Sequence, residues 1–248
     1  MSDHVLKLES VSVAFGGLMA VDAVSFQVAA GEIVGLIGPN GAGKTTVFNA
    51  VSGYYKPTRG RITFLGQDVT GHVPYELAAK GIGRTFQVVK PFAGLSVLEN
   101  ILVASYLRYP HQARAKEKAW EVLKFIGLAD RADLPAAGLT ISGRKRLEMG
   151  KALALEPKLL LLDEVVAGLN PTEADQTVQL ILNIRDAGMT ILIVEHIMRV
   201  IMKISTRIIV LNYGRMIAEG KPDEVAHDRG VIEAYLGEDS DAPNGSAP

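Results

Sequence analysis

The sequence predicts an α/β protein in which a mixed, mostly parallel core sheet and an antiparallel edge sheet carry an inserted helical subdomain. Three observations predict it. Short apolar runs rich in Val, Ile and Leu alternate with longer segments of helical period, the layout of strand–helix–strand units. Some of those runs are apolar without interruption, as strands covered on both faces must be, while others alternate. Between about residues 95 and 155 the strand runs give way to amphipathic helical patterns.

The elements follow in order. Val5 to Glu9 and Arg61 to Leu65 alternate apolar and polar side chains, which suits an antiparallel sheet. Ile33-Val34-Gly35-Leu36-Ile37, Leu159-Leu160-Leu161-Leu162 and Ile191-Leu192-Ile193-Val194 are continuous apolar runs and read as buried parallel strands. A helix over Thr45 to Ser52 follows the first of them. Val97 to Tyr109, Ala113 to Gly127 and Arg146 to Leu155 have helical spacing and make up the insert. Arg207 to Glu219 reads as a hairpin turning at Asn212-Tyr213-Gly214-Arg215. Residues 238–248 are mostly Asp, Ser, Gly and Pro with almost nothing to bury, so a disordered tail is expected after a folded domain of residues 1–237.

Composition excludes several function classes. The chain has 248 residues, 48% hydrophobic and 21% charged, with a net charge of −1. Such a balance carries no global attraction for nucleic acid or anionic lipid. The absence of cysteine removes disulfides, thiolate metal sites and a cysteine nucleophile together. No run reaches the roughly 18 apolar residues of a spanning helix; the nearest, Thr190 to Ile204, is broken by Glu195, His196, Arg199 and Lys203. The N-terminus lacks the basic-then-apolar layout of a secretory signal. An intracellular protein is expected, reaching a membrane only through a partner.

Gly38-Pro39-Asn40-Gly41-Ala42-Gly43-Lys44-Thr45-Thr46 fits G-x-x-x-x-G-K-[ST] between a strand and a helix. Glycines let such a loop wrap closely, so that its amides and the helix N-terminus point at phosphate oxygens. Lys44 would then neutralise β/γ-phosphate charge, and the Thr45 hydroxyl would ligate Mg²⁺. A chance match is on the order of one per cent at this length. The run Leu159 to Leu162 ends in Asp163-Glu164. Beside a phosphate loop, Asp163 could hold Mg²⁺ and Glu164 could activate water as general base. His196 follows another buried strand, where a contact with the γ-phosphate competes with a structural role.

These elements, with Gln87 in Gly83-Arg84-Thr85-Phe86-Gln87, resemble the ATP-binding subunits of ABC transporters over about residues 5 to 237. The resemblance implies ATP and Mg²⁺ as ligands. Gln87 would sense the γ-phosphate, contact the metal and face a membrane subunit, and Phe15 would stack on adenine, against the alternative of a core phenylalanine. Ala167-Gly168-Leu169-Asn170-Pro171 stands at the D-loop, with Asn170 in place of the commoner aspartate. Phe15-Gly16-Gly17-Leu18-Met19-Ala20-Val21 and the ending through Tyr235-Leu236-Gly237-Glu238 are similar to the branched-chain amino-acid importer branch.

Two departures stand out. The family's Leu-Ser-Gly-Gly-Gln signature falls on Leu139-Thr140-Ile141-Ser142-Gly143, where Thr140 keeps a hydroxyl but Ile141 and Ser142 replace glycines that let amides approach a phosphate. A shifted register would use Ser142 and Gly143. Val165 replaces a proline after the base. Because each signature completes the partner's ATP site, a weak one here suggests an asymmetric pair; the alternative is that Thr140 and one relaxed turn suffice. Lys116-Glu117-Lys118 and Arg144-Lys145-Arg146 read as solvated helix faces by default, although the second lies beside the signature and could touch phosphate. Val88-Val89-Lys90-Pro91-Phe92 is apolar for a loop and offers Val89 and Phe92 to a membrane subunit, against core burial.

The expected partners are transmembrane permease subunits, a second ATPase subunit (homodimer or heterodimer), and, indirectly, an extracytoplasmic solute-binding protein, with no nucleic acid. The expected place is the cytoplasmic face of the inner membrane, held peripherally. The alternatives are the ATPase of an exporter such as lipopolysaccharide export, a non-hydrolysing ATP-binding regulatory subunit, and soluble family members of DNA repair or translation. The last need a long coiled coil or two ATPase domains, for which 248 residues leave no room.

Overall fold

A computed structural model describes residues 4–87 and 89–240. Along the chain run β1 (His4–Phe15), β2 (Leu18–Ala29), β3 (Ile33–Ile37), α1 (Lys44–Val51), β4 (Arg59–Phe64), β5 (Gln67–Asp68), α2 (Pro74–Lys80) and β6 (Ile82–Arg84). Then come α3 (Val97–Ser105), α4 (Gln112–Phe125), α5 (Ile141–Ala154), β7 (Leu159–Asp163), α6 (Pro171–Asp186), β8 (Thr190–Val194) and α7 (Met198–Ile204). The chain ends in β9 (Arg207–Asn212), β10 (Arg215–Gly220), α8 (Pro222–Ala226) and α9 (Arg229–Ser240).

Two sheets form. One is antiparallel in the order β2-β1-β4-β5; the other runs β10-β9-β3-β8-β7-β6, parallel except for β10. The continuous apolar runs are explained by two cores on opposite faces of this second sheet. Ile33, Leu160, Leu162, Ile191 and Ile193 enter the core shared with α3 to α7. Their neighbours Val34, Leu36, Leu159, Leu161 and Leu192 enter the core shared with α1 and the antiparallel sheet. Strand period 2 therefore meets apolar partners on both sides, and no position calls for a polar residue.

One strand goes unread in the sequence, and three expectations need correction. The strand β2 escapes a simple alternation rule because the β1–β2 pairing carries bulges, with Ala23 at φ 52 between the inward residues Val21 and Val24. Helix α5 begins at Ile141, not near Arg146, because the Thr140 hydroxyl caps it by accepting from the Gly143 amide at 3.2 Å. Helix α3 ends at Ser105, short of Tyr109. At the chain end α9 continues to Ser240, past the expected start of the tail at Glu238; residues 241–248 lie outside the described residues, as does Val88. No helix among the described residues is long and apolar enough to cross a membrane.

Candidate active site

The phosphate loop leaves β3 in the middle of the second sheet and is pressed between two hairpins. An ideal Cβ on Gly38 would stand 2.1 Å from the Leu211 carbonyl oxygen, and one on Gly43 2.8 Å from that of Ala20. Gly43 adopts φ 100 and Gly41 φ 75, both in left-handed backbone that favours glycine. The Gly214 amide donates to the Ala42 carbonyl at 3.1 Å, and the Asp22 amide donates to the Gly214 carbonyl at 2.8 Å. The β9–β10 turn thus braces the loop against β2. The N-cap residue of α1 is Gly43, which has no side chain to cap the first amides, and this leaves a helix N-terminus suited to an anion. Lys44 Nζ folds back over the loop, donating to the carbonyls of Gly38 at 2.6 Å and Pro39 at 2.7 Å. Asn40, Thr45 and Thr46 complete the loop and the first turn of α1.

The two carboxylates at the end of β7 have different surroundings. Asp163 is buried and paired with Arg84 at 3.1 Å. Burial pushes its carboxyl above the usual range, against the pull of that guanidinium. Arg84 is itself anchored by donating to Asn49 Oδ1 at 2.7 Å, and it lies 5.1 Å from the Phe48 and Tyr54 ring centres and 5.3 Å from that of Phe86. Thr85 ties this corner to β7: its amide donates to the Leu161 carbonyl, and its hydroxyl accepts from the Asp163 amide at 3.1 Å.

Glu164 turns away from Asp163 at φ 47, a left-handed conformation for a residue with a side chain. Its carboxylate accepts from Gln87 Nε2 at 2.7 Å and stands 3.8 Å from His196 Nδ1. The fold thus brings Gln87, Glu164 and His196 together from three separate strand ends. Thr45, Gln87 and Asp163 line one cleft of about 510 Å³. A hydroxyl, an amide oxygen and a carboxylate are the hard oxygen donors Mg²⁺ takes alongside substrate phosphates, so the residues present fit the ion. Phe15, at the end of β1, is 44% exposed and meets Tyr55 edge-on at 4.9 Å, which removes the core reading for this ring.

The signature segment lies apart from these groups. Thr140 caps α5, Ile141 is 62% exposed in its first turn, and Ser142 is buried behind it. Thr140, Ser142 and Gly143 line a separate cleft of about 250 Å³ with Arg131, Arg146 and Glu173. Asn170 caps α6, accepting from the Glu173 amide at 2.9 Å while Glu173 accepts from the Asn170 amide. A capping box explains an amide at this position as well as it would an aspartate. Of the apolar loop, Phe92 is exposed and Val89 half-buried, so neither belongs to the core.

Sequence reasoning misses Arg84, Lys145 and Glu195. The reading of Arg144-Lys145-Arg146 as a solvated face fails for its middle member: Lys145 is buried and donates to the Glu164 carbonyl at 2.7 Å. Glu195 is buried too and accepts from the Val166 amide at 2.7 Å. An acid directly after a buried strand was the available signal for Glu195; nothing in the sequence marks which basic side chain of a triplet turns inward.

The Arg84–Asp163 pair yields a direct expectation. Arg84→Ala leaves a buried carboxylate without its counter-charge and should destabilise the fold by about 3–5 kcal/mol. Protonating Asp163 removes that charge, so the deficit should shrink as pH falls through its raised pKa. Urea unfolding of both proteins at neutral and mildly acidic pH measures it.

A glycine-rich loop between a central strand and a helix, with carboxylates at the end of another strand of the same sheet, β7, defines a P-loop nucleotide-binding protein. The ABC transporter family matches residues 21–167, and the family described as branched-chain amino acid ATP-binding cassette transporter matches residues 215–241. The chain is 41% identical to the high-affinity branched-chain amino acid transport ATP-binding protein LivG of Salmonella typhimurium, over 96% of this chain and 100% of that one. A crystal structure of the ADP conformation of an ATP-binding cassette of an ABC transporter superposes with TM-score 0.86 at 33% identity, covering 94% of this chain and 99% of that chain. A dimeric cassette in a post-hydrolysis state, bound to ADP and Pi, superposes with TM-score 0.77 at 26% identity, covering 88% of this chain and 98% of that chain. The chain belongs to the ATP-binding cassette family of ABC transporters.

Proposed function

We propose that this chain is the ATP-hydrolysing subunit of an importer for branched-chain amino acids, seated on the cytoplasmic face of the membrane through permease subunits. The observation that carries it is the end-to-end likeness to LivG, together with the convergence of the phosphate loop, Gln87, Asp163, Glu164 and His196 on one side of the sheet.

The loop amides and the N-terminus of α1 receive the phosphates, and Lys44 swings from its own loop carbonyls to the β- and γ-phosphates. Phe15 receives the adenine. Thr45, Asp163 and Gln87 would hold Mg²⁺, which would neutralise phosphate charge there. Glu164 takes the proton of the attacking water, Gln87 orients the carboxylate, and His196 donates to the γ-phosphate. A second cassette closes over the nucleotide. The exposed Ile141 stands where the family places glycine, which supports a pair of unlike cassettes in which the other subunit's signature completes the site built on Lys44 and Glu164.

Deleting the gene in its host should abolish uptake of labelled leucine, isoleucine and valine. The intact gene should restore uptake and a Lys44→Ala version should not. Unchanged uptake in the deletion strain would remove the solute assignment, and restoration by Lys44→Ala would remove the nucleotide site.

A further inference from the structure

The turn that carries Glu164 is held from two sides by buried charged side chains. Lys145, 8% exposed in the second turn of α5, donates to the Glu164 carbonyl at 2.7 Å. On the next stretch of backbone, Glu195 accepts from the Val166 amide at 2.7 Å, and its other carboxylate oxygen has no hydrogen-bond partner among the described residues. Both side chains face inward, to backbone. Burial pushes the Lys145 ammonium below the ordinary lysine range, with the charges of Glu195 and Glu164 pulling the other way. Burial pushes the Glu195 carboxyl up, against the Val166 amide, His196 and Lys145.

Such a clamp has something to hold. Glu164 sits at φ 47, where side-chain-bearing residues are uncommon and persist only when their surroundings over-determine them. The next residue is Val165, which leaves φ free where a proline would fix it. The direction of the Glu164 carbonyl and that of its side chain belong to the same residue, so a donor on the carbonyl also sets where the carboxylate points toward Gln87 and His196.

We propose that Lys145 is a positioning residue for Glu164: from helix α5 its ammonium holds the Glu164 carbonyl and so keeps the carboxylate aimed at the water it activates. This rests on the reading of Glu164 as general base. It also makes α5 a mechanical link, since the helix begins at Thr140 and Ile141, which the proposed function turns toward a second cassette, and Lys145 reaches the Glu164 carbonyl one turn later.

The test compares, each assembled with its partner cassette, Lys145→Met, which removes the donor, with Lys145→Arg, which keeps donor and charge. In Lys145→Met, kcat for ATP should fall by about 10²-fold, the penalty of a misplaced reacting group, with KM and nucleotide binding unchanged. Amide hydrogen exchange over residues 163–168 should rise by about tenfold, as loss of one charge-assisted hydrogen bond implies, while β1 and α2 exchange at wild-type rates. Lys145→Arg should restore both readouts. Wild-type exchange over 163–168 in Lys145→Met, or a loss of nucleotide binding equal to the loss of kcat, would overturn the proposal. Exchange reports on the clamp without turnover, whereas Glu164→Gln reports on the base, so the two ideas fail separately.

Discussion

Glu164→Gln should lower Mg²⁺-dependent ATP turnover by about 10²–10⁴-fold, the usual worth of a general base, with ATP still bound. The substitution keeps the shape of the site. An amide oxygen at 164 can still accept from Gln87 Nε2, the bond that spans 2.7 Å in the native protein. The carbonyl of residue 164 still receives Lys145, since that contact is to backbone. The phosphate loop, Lys44 and Asp163 are untouched, so binding should persist. What disappears is the ability to accept a proton. Turnover of wild type and variant, each assembled with its partner cassette so that the wild type is active, measured beside nucleotide binding on both, decides the matter. Equal turnover in the two would exclude Glu164 as base; lost binding would place it among the phosphate contacts instead.

Gly38→Ala should be the most damaging conservative change in the chain, costing upwards of about 4 kcal/mol, in the exceptional range for a single substitution. The methyl carbon would meet the Leu211 carbonyl oxygen at 2.1 Å, at a backbone φ of 146. Leu211 is backbone of β9, which pairs with β3 in the interior of the sheet, so nothing nearby can move cheaply. Gly41 is the control. It sits in the same loop at φ 75, but a Cβ there meets nothing within 4 Å. Gly41→Ala should therefore cost only the left-handed backbone penalty of about 1–2 kcal/mol. Denaturant midpoints for the two variants measure the contrast, and similar midpoints would mean that the loop moves away from β9 more easily than its packing implies.

The parts of this protein that its sequence makes legible are local. The phosphate loop is readable because wrapping a phosphate requires glycines, a lysine and a hydroxyl within one continuous stretch. Asp163 and Glu164 are readable because they end an apolar strand, and a strand end in a parallel sheet is where side chains leave the core. The apolar runs at Ile33, Leu159 and Ile191 announce a sheet covered on both faces, since only that environment tolerates them unbroken. The antiparallel sheet was half visible: bulges break the alternation of β2, and period 2 is the whole of the signal there.

What the tertiary structure alone decided is which side chains meet. Arg84 lies far along the chain from Asp163, and its pairing exists because β6 lies beside β7. Lys145 looks like one of three equivalent basic residues until α5 packs across the β7 turn and buries the middle one. Thr140 reads as a hydroxyl at the signature serine, and only the start of α5 at Ile141 shows that this hydroxyl also caps a helix. Sequence alone determined the chemistry available: a phosphate cradle, two acids, a glutamine and a histidine. Tertiary structure decided the partners and the burial, because both depend on the crossing of elements far apart in the chain, and no local pattern of residues encodes the distance between them.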